Sequence, residues 1–285
     1  MRTFAFFTSI FFCCLFTIGA ASAQELIRGR VIDSDTREPI PFANIGVTKL
    51  SIGTVSDEKG NYQLRTHSPA DLVTFSSIGY QTEYITAEKL ASGGDVSLQP
   101  RPYQAPTVEL SAKSLTKEVI LGAKLEEQGH SVSFGSSELG TEIGALIRIS
   151  KETFIKSAHF QANHAAGDNM LFRVNLYKCE DGQLGENLLP ENVIISGQQK
   201  REVIDVDLSE FNLITASDVL LSLEWIKDDE GAGNVGLTFR SKKSRRDENT
   251  YSKHTSQAPF IMLSSLAPQA PKLQLGFFLV GKQAP

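Results

Sequence analysis

The sequence predicts an all-β protein made of two successive sandwiches, the first seven-stranded and the second jelly-roll-like. Three observations carry this. From Leu26 onward apolar and polar residues alternate in short runs, the period of strands with one buried face and not of helices. Turn-forming residues separate the runs, as at Asp57-Glu58-Lys59-Gly60-Asn61, Ser68-Pro69-Ala70-Asp71 and Glu180-Asp181-Gly182. Pro100, Pro102 and Pro106 then break the pattern once, where neither a helix nor an inner strand is sustained.

The chain opens with Met1 and Arg2, an apolar run over 4–18, and the small residues Ala21, Ser22 and Ala23. That order predicts a secretory signal peptide over 1–23, cleaved before Gln24. The run is shorter than the roughly 20 residues a spanning helix needs, so the mature chain is expected to have no transmembrane segment. The expected destination is the periplasm, the outer membrane surface or the exterior. Cys13 and Cys14 lie inside the run and no cysteine follows the small residues, which argues against a lipoprotein cleavage site.

Cleavage leaves one thiol, Cys179, in the alternating stretch Leu176-Tyr177-Lys178-Cys179. It has no internal disulfide partner and reads as a small packed hydrophobe, so the fold must rest on its apolar cores. Lys and Arg number 28 against 33 Asp and Glu. This balance lacks the basic footprint of a nucleic-acid binder, and no nucleic-acid partner is expected. The dense basic stretch Arg240-Ser241-Lys242-Lys243-Ser244-Arg245-Arg246 reads as a solvated loop.

The first set of strand-like runs covers 26–32, 42–48, 53–55, 62–65, 72–76, 81–85 and 95–98. Pro39 and Pro41 cannot donate to an inner ladder, and Gly60 takes the positive φ of a tight reversal. Four blocks appear in order within it: Gly29-Arg30-Val31-Ile32-Asp33, Glu38-Pro39-Ile40-Pro41-Phe42-Ala43-Asn44-Ile45, Gly53-Thr54-Val55-Ser56-Asp57-Glu58-Lys59-Gly60-Asn61-Tyr62, and Phe75-Ser76-Ser77-Ile78-Gly79-Tyr80. Together they resemble the carboxypeptidase regulatory-like domain, a transthyretin-like sandwich. The resemblance implies a non-catalytic module of the Gram-negative envelope, a type found beside metallocarboxypeptidase domains and ahead of the plug of TonB-dependent transporters. Neither companion is expected here. None of His67, His130, His159, His164 or His254 has a Glu three residues on, as the zinc pair of such a peptidase needs. Too few residues remain for a transporter barrel. The oxygens of Asp57, Glu58 and Asn61 read as a turn, since the alternating ligands and distal Glu of a calcium loop are missing.

The organisation expected is therefore signal peptide 1–23, regulatory-like domain 24–98, a linker over 99–134 with an edge strand or short helix, and a β-sandwich over 135–285. In the last, runs over 142–149, 154–162, 171–178, 193–196, 200–207, 219–225, 235–239, 260–265 and 272–280 predict eight or nine strands, with a helical turn within 207–212. Phe172-Arg173-Val174-Asn175-Leu176-Tyr177 and the stretch over 219–225 resemble the C-terminal half of envelope proteins that pair such a half with the regulatory-like domain. They also look distantly like galactose-binding jelly rolls, which implies a fold and no function.

Candidate site residues are few. Trp225 and Tyr177 are candidates for an aromatic platform under a sugar ring, although Trp225 shares a strand face with Leu221 and Leu223 and so reads also as core. Asp228, Asp229 and Glu230 before Gly231 are candidate ligands of a structural calcium ion, or a solvated turn; no other cofactor is expected. There is no Gly-x-Ser-x-Gly elbow and no phosphate-cradling loop. The expectation is a non-catalytic binding protein that docks onto another envelope protein, with a glycan-binding module as the alternative. A hydrolase whose carboxylates come from scattered strands is a lesser one; a pair of facing carboxylates in a cleft would mark it.

Overall fold

The computed structural model describes residues 25–101, 115–126, 129–134, 138–164, 169–197, 202–228, 237–244, 248–266 and 269–285; the expected signal peptide lies outside them. The described residues are nearly all β, with one short α-helix and a few 3-10 turns.

The first sandwich contains β1 (Glu25–Asp33), β2 (Asn44–Val47), β3 (Ile52–Val55), β4 (Asn61–Thr66), β5 (Leu72–Ser76), β6 (Glu83–Thr86), the one-turn helix α1 (Ala87–Ala91) and β7 (Asp95–Leu98). Its sheets run β4-β1-β7 and β3-β2-β5-β6. Strict alternation along β4 sends Tyr62 and Leu64 inward, where they meet Ile27, Ile45, Val73 and Phe75. Burying these side chains drives the two sheets together, at about 1.5–3 kcal/mol for each large one. At the β3–β4 reversal Asp57 Oδ1 accepts the backbone N–H groups of Lys59 and Asn61, each at 2.8 Å. Gly60 sits at φ +76°, where a Cβ would lie 2.5 Å from the carbonyl oxygen of Val31. Strand β2 begins later than the alternation predicts, because Phe42 takes a left-handed backbone (φ +56°) that no strand continues through.

The second sandwich contains β8 (Lys117–Gly122), β9 (His130–Ser133), β10 (Glu142–Ile147), β11 (Thr153–His164), β12 (Leu171–Glu180), β13 (Gln183–Asn187), β14 (Val193–Ser196), β15 (Val203–Asp207), β16 (Ile214–Thr215), β17 (Asp218–Lys227), β18 (Thr238–Lys243), β19 (Thr250–Lys253), β20 (Ile261–Met262), β21 (Leu273–Leu275) and β22 (Phe277–Gln283). One sheet runs β13-β12-β17-β10-β19-β20 with β14 also on β12; the other runs β21-β18-β11-β22-β8, with β15 and β16 on β11 and β9 on β18. Phe172, Leu221, Leu223 and Trp225 from the first meet Phe160, Phe239 and Phe277 from the second in one core. Phe277 packs edge-on to Phe160 and Phe239 with ring centres 4.7 and 4.9 Å away, the geometry that aromatic quadrupoles favour.

The second sandwich has more strands than its apolar runs predict. One of the additional ones, β13 (Gln-Leu-Gly-Glu-Asn), owes its place to its hairpin partner β12 and carries no buried face of its own. The run over 260–265 yields a two-residue strand and then a 3-10 turn over Leu263–Leu266, while Ser209–Phe211 forms another 3-10 turn.

The outer face of the β12-β17-β10-β19 sheet is not open to water, because the first sandwich lies on it. Phe42 and Val55 pack against Ile226. Ser256 Oγ reaches the carbonyl oxygens of Ile45 and Thr54 at 3.1 and 3.0 Å, and Thr255 Oγ1 donates to the carbonyl of Ser51 at 3.2 Å. Gly53 permits this approach, since a Cβ there would stand 2.4 Å from Ser256 Oγ.

Candidate functional site

The face covered by the first sandwich carries a row of charge. Strand register sets Arg173 of β12 opposite Glu224 of β17, Glu224 opposite Glu142 of β10, and Glu142 opposite Lys253 of β19. The row thus reads plus, minus, minus, plus across four neighbouring strands. Side chains alternate across a sheet, so Val174, Leu223 and Trp225 from the same strands point into the core. Both carboxylates are 0% exposed and Arg173 is 1% exposed.

Hydrogen bonds satisfy most of this row. Arg173 Nε and Nη2 donate to Glu224 Oε2 at 3.0 and 2.8 Å, Nη1 donates to the carbonyl of Phe42 (2.8 Å) and to Asn192 Oδ1 (3.1 Å), and Nη2 also donates to Asn44 Oδ1 (2.9 Å). A guanidinium has five N–H groups, so none is left over. Lys253 Nζ is 2.6 Å from Glu142 Oε2 and lies 5.1 Å above the Phe260 ring centre. Asn175 Nδ2 bridges Glu142 and Glu224 at 2.9 and 3.0 Å, and Ser222 Oγ adds a bond to Glu142. Glu224 Oε1 has no hydrogen-bond partner among the described residues.

Burial works against the Glu224 carboxylate, but the charges of Arg173 and Lys253 outweigh it and hold its pKa below the ordinary value. Lys253 is likewise penalised by burial and held raised by Glu142 and Glu224. Burial and the two carboxylates together push the Tyr177 phenol well above its ordinary value. The sequence expectation named facing carboxylates as the mark of a hydrolase, and Glu142 and Glu224 do face each other. They are sealed, each is neutralised by a cation, and neither lines the neighbouring cleft. A general acid of that mechanism needs a raised pKa and access to substrate, and Glu224 has the opposite.

Beside the row a cleft of about 850 Å³ opens between the two sandwiches. Asn44, Ser77 and Tyr80 line it from the first, and Arg173, Tyr177 and Asn187 from the second. The smaller cavity on the other side of the contact, about 480 Å³, is lined by Phe42, Tyr62 and Ile226 among others. Burial pushes the pKa of Tyr62 up to about 12, and its hydroxyl has no hydrogen-bond partner among the described residues.

The two candidate platform residues lie on opposite sides of one sheet. Tyr177 is half-buried on the cleft wall, its hydroxyl 3.4 Å from Glu142 Oε2. Trp225 is 1% exposed, packed against Phe134 and Phe172 at 5.7 and 6.1 Å, with Nε1 donating to the carbonyl of Lys227. Core burial removes it from any ligand surface, which corrects the platform reading for this residue. Asp228 stands at the end of β17 beside the smaller cavity. Asp229 and Glu230 lie outside the described residues, and with them the expected calcium loop. Among the described residues no group of three or more His, Cys, Asp or Glu side chains is arranged to hold a metal.

The basic stretch is also corrected: its first four residues belong to β18, where Ser241 is buried and Arg240 pairs with Glu202 at 2.8 Å. Cys179 is buried, and burial raises its thiol pKa. Sequence reasoning missed Arg173, Glu224, Glu142, Lys253 and Asn44. The available signal was charge set inside otherwise apolar strands, as in Leu171-Phe172-Arg173-Val174 and Leu223-Glu224-Trp225.

Residues 27–101 match the family described as CarboxypepD_reg-like domain. The first sandwich is therefore a carboxypeptidase regulatory-like domain, a non-catalytic type. No curated protein matches the chain in sequence. Among solved structures, it is similar to the clostridial cysteine protease Cwp84 after propeptide cleavage, at 9% identity and TM-score 0.43, over 81% of this chain and 51% of that one. A structure of the cysteine protease and lectin-like domains of Cwp84 from Clostridium difficile gives 9% and 0.40, over 81% and 46%. A carbohydrate-binding candidate from Bacteroides uniformis gives 12% and 0.21, over 84% and 98%. The chain spans about half the length of the two protease structures. Likenesses this remote carry no function across. Among the described residues no helix is long and apolar enough to cross a membrane.

Proposed function

We propose that the protein is a secreted, envelope-associated binding module that holds a neutral, hydroxyl-rich ligand, a glycan, in the cleft between its two sandwiches. The observation that carries this reading is a polar cleft wall whose charges are already paired. All five donors of Arg173 are engaged within the chain, and Arg101 pairs with Glu186 at 3.6 Å on the cleft wall. Of the two cations on the wall, Arg101 keeps donors to spare but lies in solvent beside Glu186, whose charge opposes an anion. What the wall offers instead is hydroxyls and amides beside the Tyr80 and Tyr177 rings, a combination suited to sugar hydroxyls and the apolar faces of sugar rings. The regulatory-like domain then acts as half of the recognition site and not as a spacer.

Calorimetric titration of the mature chain with neutral oligosaccharides tests this, with Thr82→Trp as the blocking variant. Thr82 is exposed on the cleft wall, so a bulky ring there fills the cleft without disturbing a core. Binding abolished by Thr82→Trp supports the reading. Absence of binding by every neutral oligosaccharide, or binding that Thr82→Trp leaves intact, overturns it.

A docking role has its own observation. Strand β8 closes one sheet, pairing with β22 alone among the described residues, and its Ile120 is 51% exposed. An edge of this kind accepts an added strand. Cross-linking in the native envelope should then capture one dominant partner that is lost on Ile120→Lys; capture unchanged by that charge removes β8 from consideration.

A further inference from the structure

We infer that Asn44 is the specificity-setting donor of the cleft, that Arg173 is its positioning residue, and that the ligand is a glycan bearing an acetamido group. This rests on the glycan reading above. Arg173 has donors only, so the Asn44 amide must turn Oδ1 toward it, and Nη2 stands 2.9 Å from that oxygen. The flipped amide would set N–H against N–H. Strand β2 fixes the backbone below, with Asn44 paired to Val55 on one side and Ser76 on the other. Behind Arg173, Glu224 holds the guanidinium through two bonds. The amide is thus clamped from both ends, and its Nδ2 has no partner among the described residues.

Nδ2 offers two N–H groups to the solvent of the cleft, and a ligand that displaces that solvent without replacing its hydrogen bonds leaves a costly unmet donor. A bound ligand must therefore bring an acceptor. A sugar hydroxyl serves, but an acetamido carbonyl is the stronger acceptor and carries a methyl group that needs an apolar surface. The same cleft supplies one in Ile78, Leu188 and Pro190.

The test compares N,N′,N″-triacetylchitotriose with cellotriose, in which a hydroxyl replaces each acetamido group, by calorimetric titration of the mature chain. The expected result is at least a roughly tenfold preference for the acetylated trimer, the worth of one well-made hydrogen bond. Asn44→Asp keeps an acceptor for Arg173 but offers no donor, so the preference should vanish while the thermal midpoint is held. In the wild-type chain, the Asn44 side-chain amide resonance should shift on adding the acetylated trimer and not on adding cellotriose. Equal binding of the two trimers, an unmoved Asn44 resonance, or a preference that survives Asn44→Asp overturns the inference and leaves the glycan reading standing. Binding of neither trimer overturns the inference, and the glycan reading falls with it only when every other neutral oligosaccharide in the titration above also fails to bind.

Discussion

The β12-β17-β10 sheet has two faces that are equally dry and chemically opposite. On one, Phe172, Val174, Leu176, Leu221, Leu223 and Trp225 pack against the partner sheet. On the other, Arg173, Asn175, Ser222, Glu224 and Glu142 are just as shielded, beneath the regulatory-like domain. Burial is therefore decided by what covers a face and not by the composition of that face. The apolar face gains from leaving water. The charged face is penalised for leaving it, and is retained only because each charge meets an opposite charge or a hydrogen bond in register. An apolar contact can loosen by degrees, whereas a buried ion row is sound only while complete.

The most disruptive way to break this comparison is Arg173→Met, which strands Glu224 without its cation. Urea unfolding should show a loss of about 3–5 kcal/mol, and the double variant Arg173→Met with Glu224→Leu should recover part of it, because matched apolar groups replace a buried pair at little cost. Leu221→Ala tests the other face. It should lose about 2–5 kcal/mol by opening a cavity, with no recovery from any substitution on the charged side.

A pH series separates the faces further, since only one of them titrates. Glu224 has a folded pKa below its unfolded one, so its contribution is present above the ordinary carboxylate range and is lost as pH falls through the folded value. The backbone N–H bonds that Asp33 accepts from Thr36 and Asp35 lower its pKa too, so it acts in the same acidic window. At the alkaline end Tyr62, raised to about 12, and Tyr177 favour the folded state only below the unfolded tyrosine value; stability should fall as pH climbs from there toward 12. Chemical denaturation across pH should show a plateau with these two declines, and Arg173→Met should flatten the acidic one. A flat acidic limb in the wild-type chain would remove the ion row from the stability account. The smallest effect belongs to Lys227→Ala. Its 2.8 Å pair with Glu58 also joins the two sandwiches but lies in solvent, and its loss should cost about 0–1 kcal/mol.

Most of the first sandwich was legible in the sequence because its strands alternate cleanly and its turns carry Gly60 and Asp57. Runs 72–76 and 95–98 coincide with β5 and β7. In the second sandwich the long strands were legible for the same reason, while β9, β13, β16 and β19 were not: their residues are placed by the partner strand and leave no periodic trace. The site was mostly illegible. Arg173 and Glu224 are 51 residues apart, and Arg173 and Asn44 are 129 apart, so no local spacing announces them. Polar residues alternating with Leu221, Leu223 and Trp225 read as a solvent face, and nothing along those strands tells that a second domain sits upon it. Tyr177 was identified as a candidate from its ring, and the structure places it on the cleft wall; Trp225, chosen on the same ground, lies one sheet thickness away.

The left-handed backbone at Phe42 makes the joint between the domains a shared inheritance. Its carbonyl accepts from Arg173 while its ring rests on Ile226, so one strained residue of the first sandwich is held by two strands' worth of the second. A domain of a type that recurs as a portable cassette has here surrendered its portability. Homologues should keep or change positions 42, 44, 173 and 224 as a set, and a chimera carrying another protein's regulatory-like domain should fail at this seam before it fails anywhere else.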